Sequence, residues 1–296
     1  ENRRGVLWCE CFGEKDKDVI YQPVYTVKGL AGAVYEITAD EDIITPDGTL
    51  RYHKGDVVDT VTTDDEGFAK SKELYLGKYT VVEIKAPNGM VINNEKHSVE
   101  LTYAGQDVAV TETVTSFYNE RQKVKISLEK VLEQNDTFGI GTNDEIKNIS
   151  FGLYAKEDIV SSSGTVIPAD GLIEIITLDE NGTAIANTDL PFGSYYIKEI
   201  ATDEHYILSD TQYPFTFEYA GQDTEIVEIK VNDGKPIENK LIYGSVSGKK
   251  IDENGEALGG ALIGIFKADE SEFTKEHAIM TATSEKDGSF SFAKVP

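Results

Sequence analysis

The sequence predicts an all-β fold built of tandem immunoglobulin-like antiparallel β-sandwich domains, on three observations. Apolar and polar residues alternate over short runs, as in Val99-Glu-Leu101-Thr-Tyr103, which is the period of a half-buried strand. Gly, Asn and Asp punctuate those runs: Asp65-Glu-Gly67, Asp179-Glu-Asn-Gly182 and Lys286-Asp-Gly288 supply hairpin-type turns. The chain also repeats itself. Leu101-Thr-Tyr-Ala-Gly-Gln-Asp107 returns as Phe217-Glu-Tyr-Ala-Gly-Gln-Asp223, with Tyr103 and Tyr219 116 residues apart.

The same offset relates Gly32-Ala-Val-Tyr35-Glu-Ile to Asn148-Ile-Ser-Phe151-Gly-Leu, and a third copy opens at Gly260-Ala-Leu-Ile263-Gly-Ile-Phe266. Three units follow: residues 1–121, 122–242, and 243–296 as the N-terminal part of a third domain. A chain of 296 residues has room for two or three cores. Val295-Pro296 aligns with Leu190-Pro191, and Glu1-Asn2 resembles Glu238-Asn239, so both ends are expected to be cut from a longer array. Residues 44–56 and 133–147, the longest polar stretches, predict strand-to-strand loops, and the composition around 270–277 predicts one short turn.

A net charge of −25, spread along strands and turns, describes a solvated, self-repelling surface and argues against nucleic acid or anionic lipid as a partner. No run of about 18 apolar residues predicts a membrane span. Cys9 and Cys11 are too close for an unstrained disulfide and read as small buried thiols. His53, His97, His205 and His277 are scattered without ligand spacing, so neither a metal nor a cofactor is expected. There is no Ser-His-Asp set and no phosphate loop, which speaks against a turnover enzyme.

The stretch Tyr79-Thr-Val-Val-Glu-Ile-Lys-Ala-Pro-Asn-Gly89 carries the most chemistry. Tyr79, Val81 and Glu83 share one parity, so a strand turns a carboxylate to the same face as two core residues. The pattern returns 116 residues later as Tyr195-Tyr-Ile-Lys-Glu199. Lysines and asparagines recur too. Ile126-Ser-Leu128-Glu-Lys130 opens the second unit, and Lys250 holds the equivalent place in the third, 120 residues on. Asn119 and Asn239 close the first two units, again 120 apart. Read singly, these are exposed strand charges and turn-formers; three residue types recurring in order argue otherwise.

An inward Lys, Glu and Asn are costly in a core unless they use one another. Burial lowers an amine pKa and raises a carboxyl pKa, so both groups can be neutral at ordinary pH. A neutral amine is a nucleophile, and a protonated carboxyl can hydrogen-bond a carboxamide and pass protons. Attack on the carboxamide would expel ammonia and leave a Lys–Asn isopeptide bond, once per molecule.

These residues resemble the Cna protein B-type, or SpaA-type pilin, domains of Gram-positive cell-wall-anchored adhesins and pili. The family has a first-strand Lys, a Gly-Ala-x-Phe-like motif, a glutamate "E-box" of the form Tyr-x-x-x-Glu-x-x-Ala-Pro-x-Gly, and a terminal Asn. The resemblance implies a prealbumin-like variant of the sandwich. In unit two it implies Lys130 and Asn239 as the crosslinked pair with Glu199 as promoter, although Ala201-Thr-Asp-Glu-His stands where Ala-Pro-x-Gly is usual. Unit one keeps Glu83 and Asn119, but Cys11 falls where Lys250 lies and Lys15 sits four residues late. Either Lys15 serves on a longer strand or the first unit lacks the bond; the Cys11 alignment favours the second. Lys250 would find its partners outside the chain. A reactive thioester cysteine, found in related adhesins, would need a partner glutamine that the sequence does not place.

The function implied is an extracellular stalk, fixed to the cell wall through a C-terminal anchor outside this fragment, with neighbouring repeat domains as partners. Two other readings stand beside it. The modules could themselves bind a host extracellular matrix ligand such as collagen or glycan, or be accessory domains of a larger secreted enzyme.

Overall fold

A computed structural model describes residues 19–161 and 164–296, together with the backbone of one strand at 6–12. The first 122 residues hold β1 (Val6–Phe12), β2 (Ile20–Thr26), β3 (Val34–Ala39), β4 (Ile43–Ile44), β5 (Leu50–Tyr52), β6 (Val57–Thr62), β7 (Gly77–Lys85) and β8 (Lys96–Leu101). Next come β9 (Lys123–Leu132), β10 (Ser150–Ala155), β11 (Ile159–Val160), β12 (Val166–Ile167), β13 (Leu172–Thr177) and β14 (Thr183–Ile185). β15 (Gly193–Ala201), β16 (Gln212–Phe217), β17 (Ile226–Lys230) and β18 (Ile237–Asn239) complete that unit. The last stretch carries β19 (Gly244–Lys249), β20 (Leu262–Ile265), β21 (Met280–Thr283) and β22 (Ser289–Val295).

The second unit is a full sandwich. One sheet runs β13-β10-β15-β16 and the other β14-β9-β17, with β18 also pairing β9. Alternate residues of the facing strands fill the space between them: Ile126 and Leu128 from β9, Phe151 and Leu153 from β10, Tyr195 and Ile197 from β15. The first strand of the unit lies parallel to both of its last strands, with Ile126 opposite Ile229 and Lys130 opposite Ile237.

Unit one repeats one sheet, β6-β3-β7-β8, around Ile37, Val58, Tyr79 and Val81. The offset of 116 holds at the level of single bonds. Tyr79 donates its hydroxyl to the Tyr75 carbonyl and Tyr195 to the Pro191 carbonyl, both at 2.6 Å. Residues 102–118, which correspond to the stretch holding β17 and β18, form no strand, and Val108, Val110 and Val114 are exposed.

The opening strand departs from expectation. Where unit two's first strand lies beside its asparagine strand, β1 instead pairs antiparallel with β2, with Cys11 opposite Tyr21. β2 in turn meets β13 of unit two at Ile20 opposite Leu172. β13 is the edge strand of unit two's sheet, and the hairpin touches its edge at this one pair. Tyr21 packs on the unit-two core and Tyr25 donates its hydroxyl to the Asp189 carbonyl at 2.8 Å. Lys15 lies outside the described residues.

In the third stretch β19 pairs β22 and β20 pairs β21. Residues 275–277 form a turn. The 44–56 segment folds back on itself as the β4–β5 ladder. In 133–147 the Glu145 carboxylate accepts the Gly141 and Asn143 amides and so ties the loop to itself. Among the described residues no helix is long and apolar enough to cross a membrane.

Candidate functional site

Strand alternation builds the site in unit two. On β9 the buried residues are Ile126, Leu128 and Lys130; on β18 they are Ile237 and Asn239, with Glu238 exposed between them. Lys130 faces Ile237 and Asn239 faces Leu132. Lysine and asparagine thus sit one pleat apart on neighbouring parallel strands, with side chains on the same face. Glu199 comes from the opposite sheet, paired with Phe151 on β10. Lys130, Glu199 and Asn239 are each 1% exposed.

Their bonds are specific. The Asn239 Nδ2 group donates to both Glu199 oxygens at 2.9 Å and to the Thr202 hydroxyl at 2.9 Å. The Ser209 backbone N–H donates to Glu199 Oε2 at 2.9 Å and fixes the carboxylate from the other side. The Lys130 amine donates only to carbonyls, Val131 at 3.0 Å and Ile237 at 3.1 Å. Asn239 Oδ1 is buried and accepts no hydrogen bond. Loss of hydration on burial brings the Lys130 amine down to about 8, against the opposing pull of the Glu199 and Glu238 charges. The set therefore holds a nucleophile with a lowered proton affinity, a carboxamide whose carbonyl oxygen is unused, and a carboxyl group in contact with that carboxamide.

Unit one builds half of this. Asn119 Nδ2 donates to Glu83 Oε2 at 2.6 Å and to the Val91 carbonyl at 3.0 Å, and the Asn93 amide donates to the same Oε2 at 2.7 Å. Asn93 and Ser209 hold the same place 116 residues apart. Burial raises the Glu83 pKa, held back by the Asn93 and Asn119 bonds. The half-buried phenol of Tyr35 is also pushed upward, by desolvation first and then by the Glu83 charge. Among the described residues no lysine hydrogen-bonds to Glu83 or Asn119.

Lys250 reproduces the local geometry of Lys130 in the third unit. Each amide bonds to a turn glycine carbonyl at 2.7 Å, Gly182 for Lys130 and Gly288 for Lys250. Each amine bonds to the next residue's carbonyl, at 2.7 Å for Lys250. Lys250 is exposed, and residues 243–296 contain no counterpart of β15 or β18. Among the described residues no cluster of His, Cys, Asp or Glu is placed to hold a metal.

The sequence did not point to Thr202. It stands where unit one has Ala86, within the stretch that departs from the Ala-Pro-x-Gly pattern, and its hydroxyl takes the place that the Val91 carbonyl holds for Asn119. Gln122 was also missed. It is 1% exposed and stands at the boundary: its side chain takes the Ala220 amide at 2.8 Å and donates to the Gly221 and Thr224 carbonyls of its own unit, while its backbone amide donates to the Gly89 carbonyl of unit one at 3.1 Å. Its only signal was its place three residues after Asn119.

Comparison with known proteins gives three kinds of match. The family profile for the SpaA prealbumin-like fold domain matches residues 23–115 and 137–235, together well over half of the chain. The trypsin-resistant surface T6 protein of Streptococcus pyogenes serotype M6 is 27% identical over 139 residues, covering 46% of this chain and 24% of that protein. The chain thus spans about a quarter of the curated relative it matches. Among solved structures, the Bacillus anthracis TIE protein superposes with a TM-score of 0.56 at 18% identity, over 98% of this chain and 51% of that one, a likeness of fold. The major pilin BcpA of Bacillus cereus aligns more loosely, with a TM-score of 0.31 at 15% identity over 91% of this chain and 82% of its own. On the two family matches, which fall on the two units that share the glutamate strand and closing asparagine, the chain belongs to the SpaA prealbumin-like fold domain family.

Proposed function

We propose that this chain is a load-bearing stalk segment of a Gram-positive surface adhesin or pilin, and that unit two crosslinks itself through an isopeptide bond between Lys130 and Asn239. The observation that carries the reading is the burial of Lys130, Glu199 and Asn239, each 1% exposed, with Lys130 and Asn239 on paired strands and Asn239 hydrogen-bonded to Glu199. The neutral Lys130 Nζ attacks Asn239 Cγ, forming the new C–N bond. The tetrahedral centre then releases Nδ2 as ammonia. One proton moves from the attacking amine to the departing nitrogen, and Glu199, already in contact with Nδ2, is the group placed to carry it. In its protonated form Glu199 can instead donate to Oδ1 through a rotated carboxamide, which would give that oxygen its missing partner. Reactants and products balance without any co-reactant.

The bond would close a loop of 109 residues, worth roughly 4–5 kcal/mol by the chain-entropy argument used for disulfides. Its mechanical effect matters more. β9 carries the chain into the unit and β18 carries it out, so a tie between them takes the tension that would otherwise shear their backbone hydrogen bonds. The pilin relatives and the streptococcal surface protein support the cell-surface setting. Unit one, with Glu83 and Asn119 together but Cys11 at the aligned lysine position, is read as lacking the bond. Intact-mass measurement of the purified chain tests this: one bond removes one ammonia, about 17 Da, from the formula mass. A mass with no deficit sinks the crosslink; a deficit twice as large sinks the reading of unit one.

A further inference from the structure

The five residues Tyr-Ala-Gly-Gln-Asp occur twice, at 103–107 and 219–223, and the second copy is a joint. Its Gln222 side-chain oxygen accepts the Ala86 amide at 2.9 Å, and its Gln222 carbonyl accepts the Ile92 amide at 3.0 Å. Tyr219 donates its hydroxyl to the Met90 carbonyl at 3.1 Å. Gln122 completes the clasp through Ala220, Gly221 and Thr224. The Ala-Pro-Asn-Gly turn of unit one is thus seated on this loop, with the Gln122 amide on the Gly89 carbonyl at 3.1 Å and Phe192 beside Gly89, while Arg121 and Tyr25 bond to Asp189 next to it.

The first copy has the same shape without those contacts. Gly105 and Gly221 both take left-handed backbone, at φ 111° and 95°. The amide three residues on closes each turn at 3.3 Å, Val108 to Gly105 and Thr224 to Gly221. Yet Tyr103 is 68% exposed and Gln106 is exposed, where Tyr219 and Gln222 are half-buried. A loop that keeps its conformation with nothing seated on it is pre-organised for an occupant.

We propose that the Tyr103–Asp107 loop docks the Ala-Pro-x-Gly end of another SpaA-type domain, one that carries counterparts of Ala86–Ile92 and Gln122. The surface is selective. Unit two's own end, Thr202-Asp-Glu-His205, closes a like turn, Tyr206 amide to Asp203 carbonyl at 3.0 Å as Met90 amide to Pro87 carbonyl at 3.1 Å, but it lacks the Ala-Pro-x-Gly sequence and has Ile242 at the Gln122 place, so the clasping amide is missing. The proposal does not depend on the crosslink.

The test extends the full chain at its N-terminus, through a flexible Gly/Ser linker of about 20 residues, with a second copy of residues 19–122; in this and every other added copy Tyr103→Phe removes the duplicate reporter, so that only the original Tyr103 is read. Tyrosine nitration by tetranitromethane is followed by peptide mass mapping. In the unextended chain Tyr103 reacts freely and Tyr219 is protected. In the extended chain Tyr103 nitration falls at least about tenfold, because the linker holds the added end at millimolar effective concentration, and Gln122→Ala in the added copy restores it. Protection of buried Tyr79 in both copies reports that the added domain is folded. If Tyr103 keeps its rate while Tyr79 is protected, the proposal is overturned. Where the short copy does not protect its Tyr79, residues 19–242 are appended instead. As they stand they leave Tyr103 reactive; with Thr202→Ala, Asp203→Pro, Glu204→Asn, His205→Gly and Ile242→Gln they protect it. Failure of that converted block to protect Tyr103 likewise overturns the proposal.

Discussion

Asn239 places its side-chain nitrogen 2.9 Å from each oxygen of Glu199 while its own carbonyl oxygen is buried without a partner. Leaving a buried acceptor unpaired costs about 1–3 kcal/mol, so the arrangement is poor as a resting network and well suited to a reaction. It follows that Glu199→Gln will keep the fold but leave the lysine and asparagine unjoined, and the chain will show its full formula mass. Glu83→Gln, in the half-built site of unit one, will leave the mass deficit unchanged.

The Lys130 amine gives the reaction a pH profile. Its pKa in the fold is lowered from 10.5 to about 8, so the neutral nucleophile gains population as pH rises through that value. Freshly refolded chain, sampled by mass over time, will crosslink faster at pH 9 than at pH 6.

The same shift has a stability consequence in the uncrosslinked Glu199→Gln chain. Without the Glu199 charge that props it up, the folded amine loses its proton at about 8 or below, so from there to about 10.5 the unfolded amine holds a proton that the folded one has lost. Stability therefore rises with pH across that window and is flat on either side. Urea melts at stepped pH will show this slope in the variant. The wild-type chain will not show it, since an amide nitrogen does not titrate.

Tyr195 and Tyr79 each brace the start of their glutamate strand through a 2.6 Å bond to a carbonyl four residues back. Tyr195→Phe leaves the Pro191 carbonyl buried and unpaired and will cost roughly 1–3 kcal/mol, read by denaturant midpoint. Tyr79→Phe will cost less, because the Tyr75 carbonyl is only part-buried and water can replace the lost donor.

Gly182 has φ +76°, and a Cβ there would lie 2.2 Å from the Lys130 carbonyl oxygen. Gly182→Ala will destabilise unit two by more than ~1 kcal/mol. By displacing β9 at the reactive lysine it will also slow appearance of the mass deficit.

Gln122→Ala removes three bonds that hold the Ala220–Thr224 loop, the loop on which unit one's turn is seated. Small-angle scattering will show a broader distribution of inter-unit angles, Tyr219 will become open to nitration, and unit two, which holds all three partners, will unfold at lower denaturant while unit one keeps its own melting behaviour.

Much of this was legible because strand parity and repetition act locally. Lys130, Glu199 and Asn239 could be turned inward by counting alternate residues, and the repeat showed that the inward polar residues were no accident. Two things were not legible. Alternation says that Val6–Phe12 is a strand but not which edge it joins, and it pairs with β2, which touches the edge of β13 in unit two. The joint was hidden for a similar reason. Gln122 finds its partners about 100 residues away, and Tyr-Ala-Gly-Gln-Asp read only as a marker of repetition until the two copies were seen in different surroundings.

The parallel pairing of β9 with β18 also bears on survival outside a cell. With Lys130 joined to Asn239, everything between them becomes a covalent ring. A protease that severs any single peptide bond in that ring opens it without parting the chain, which still runs unbroken from residue 130 to residue 239 through the side-chain link. Such a stalk could be clipped in its loops and still hold.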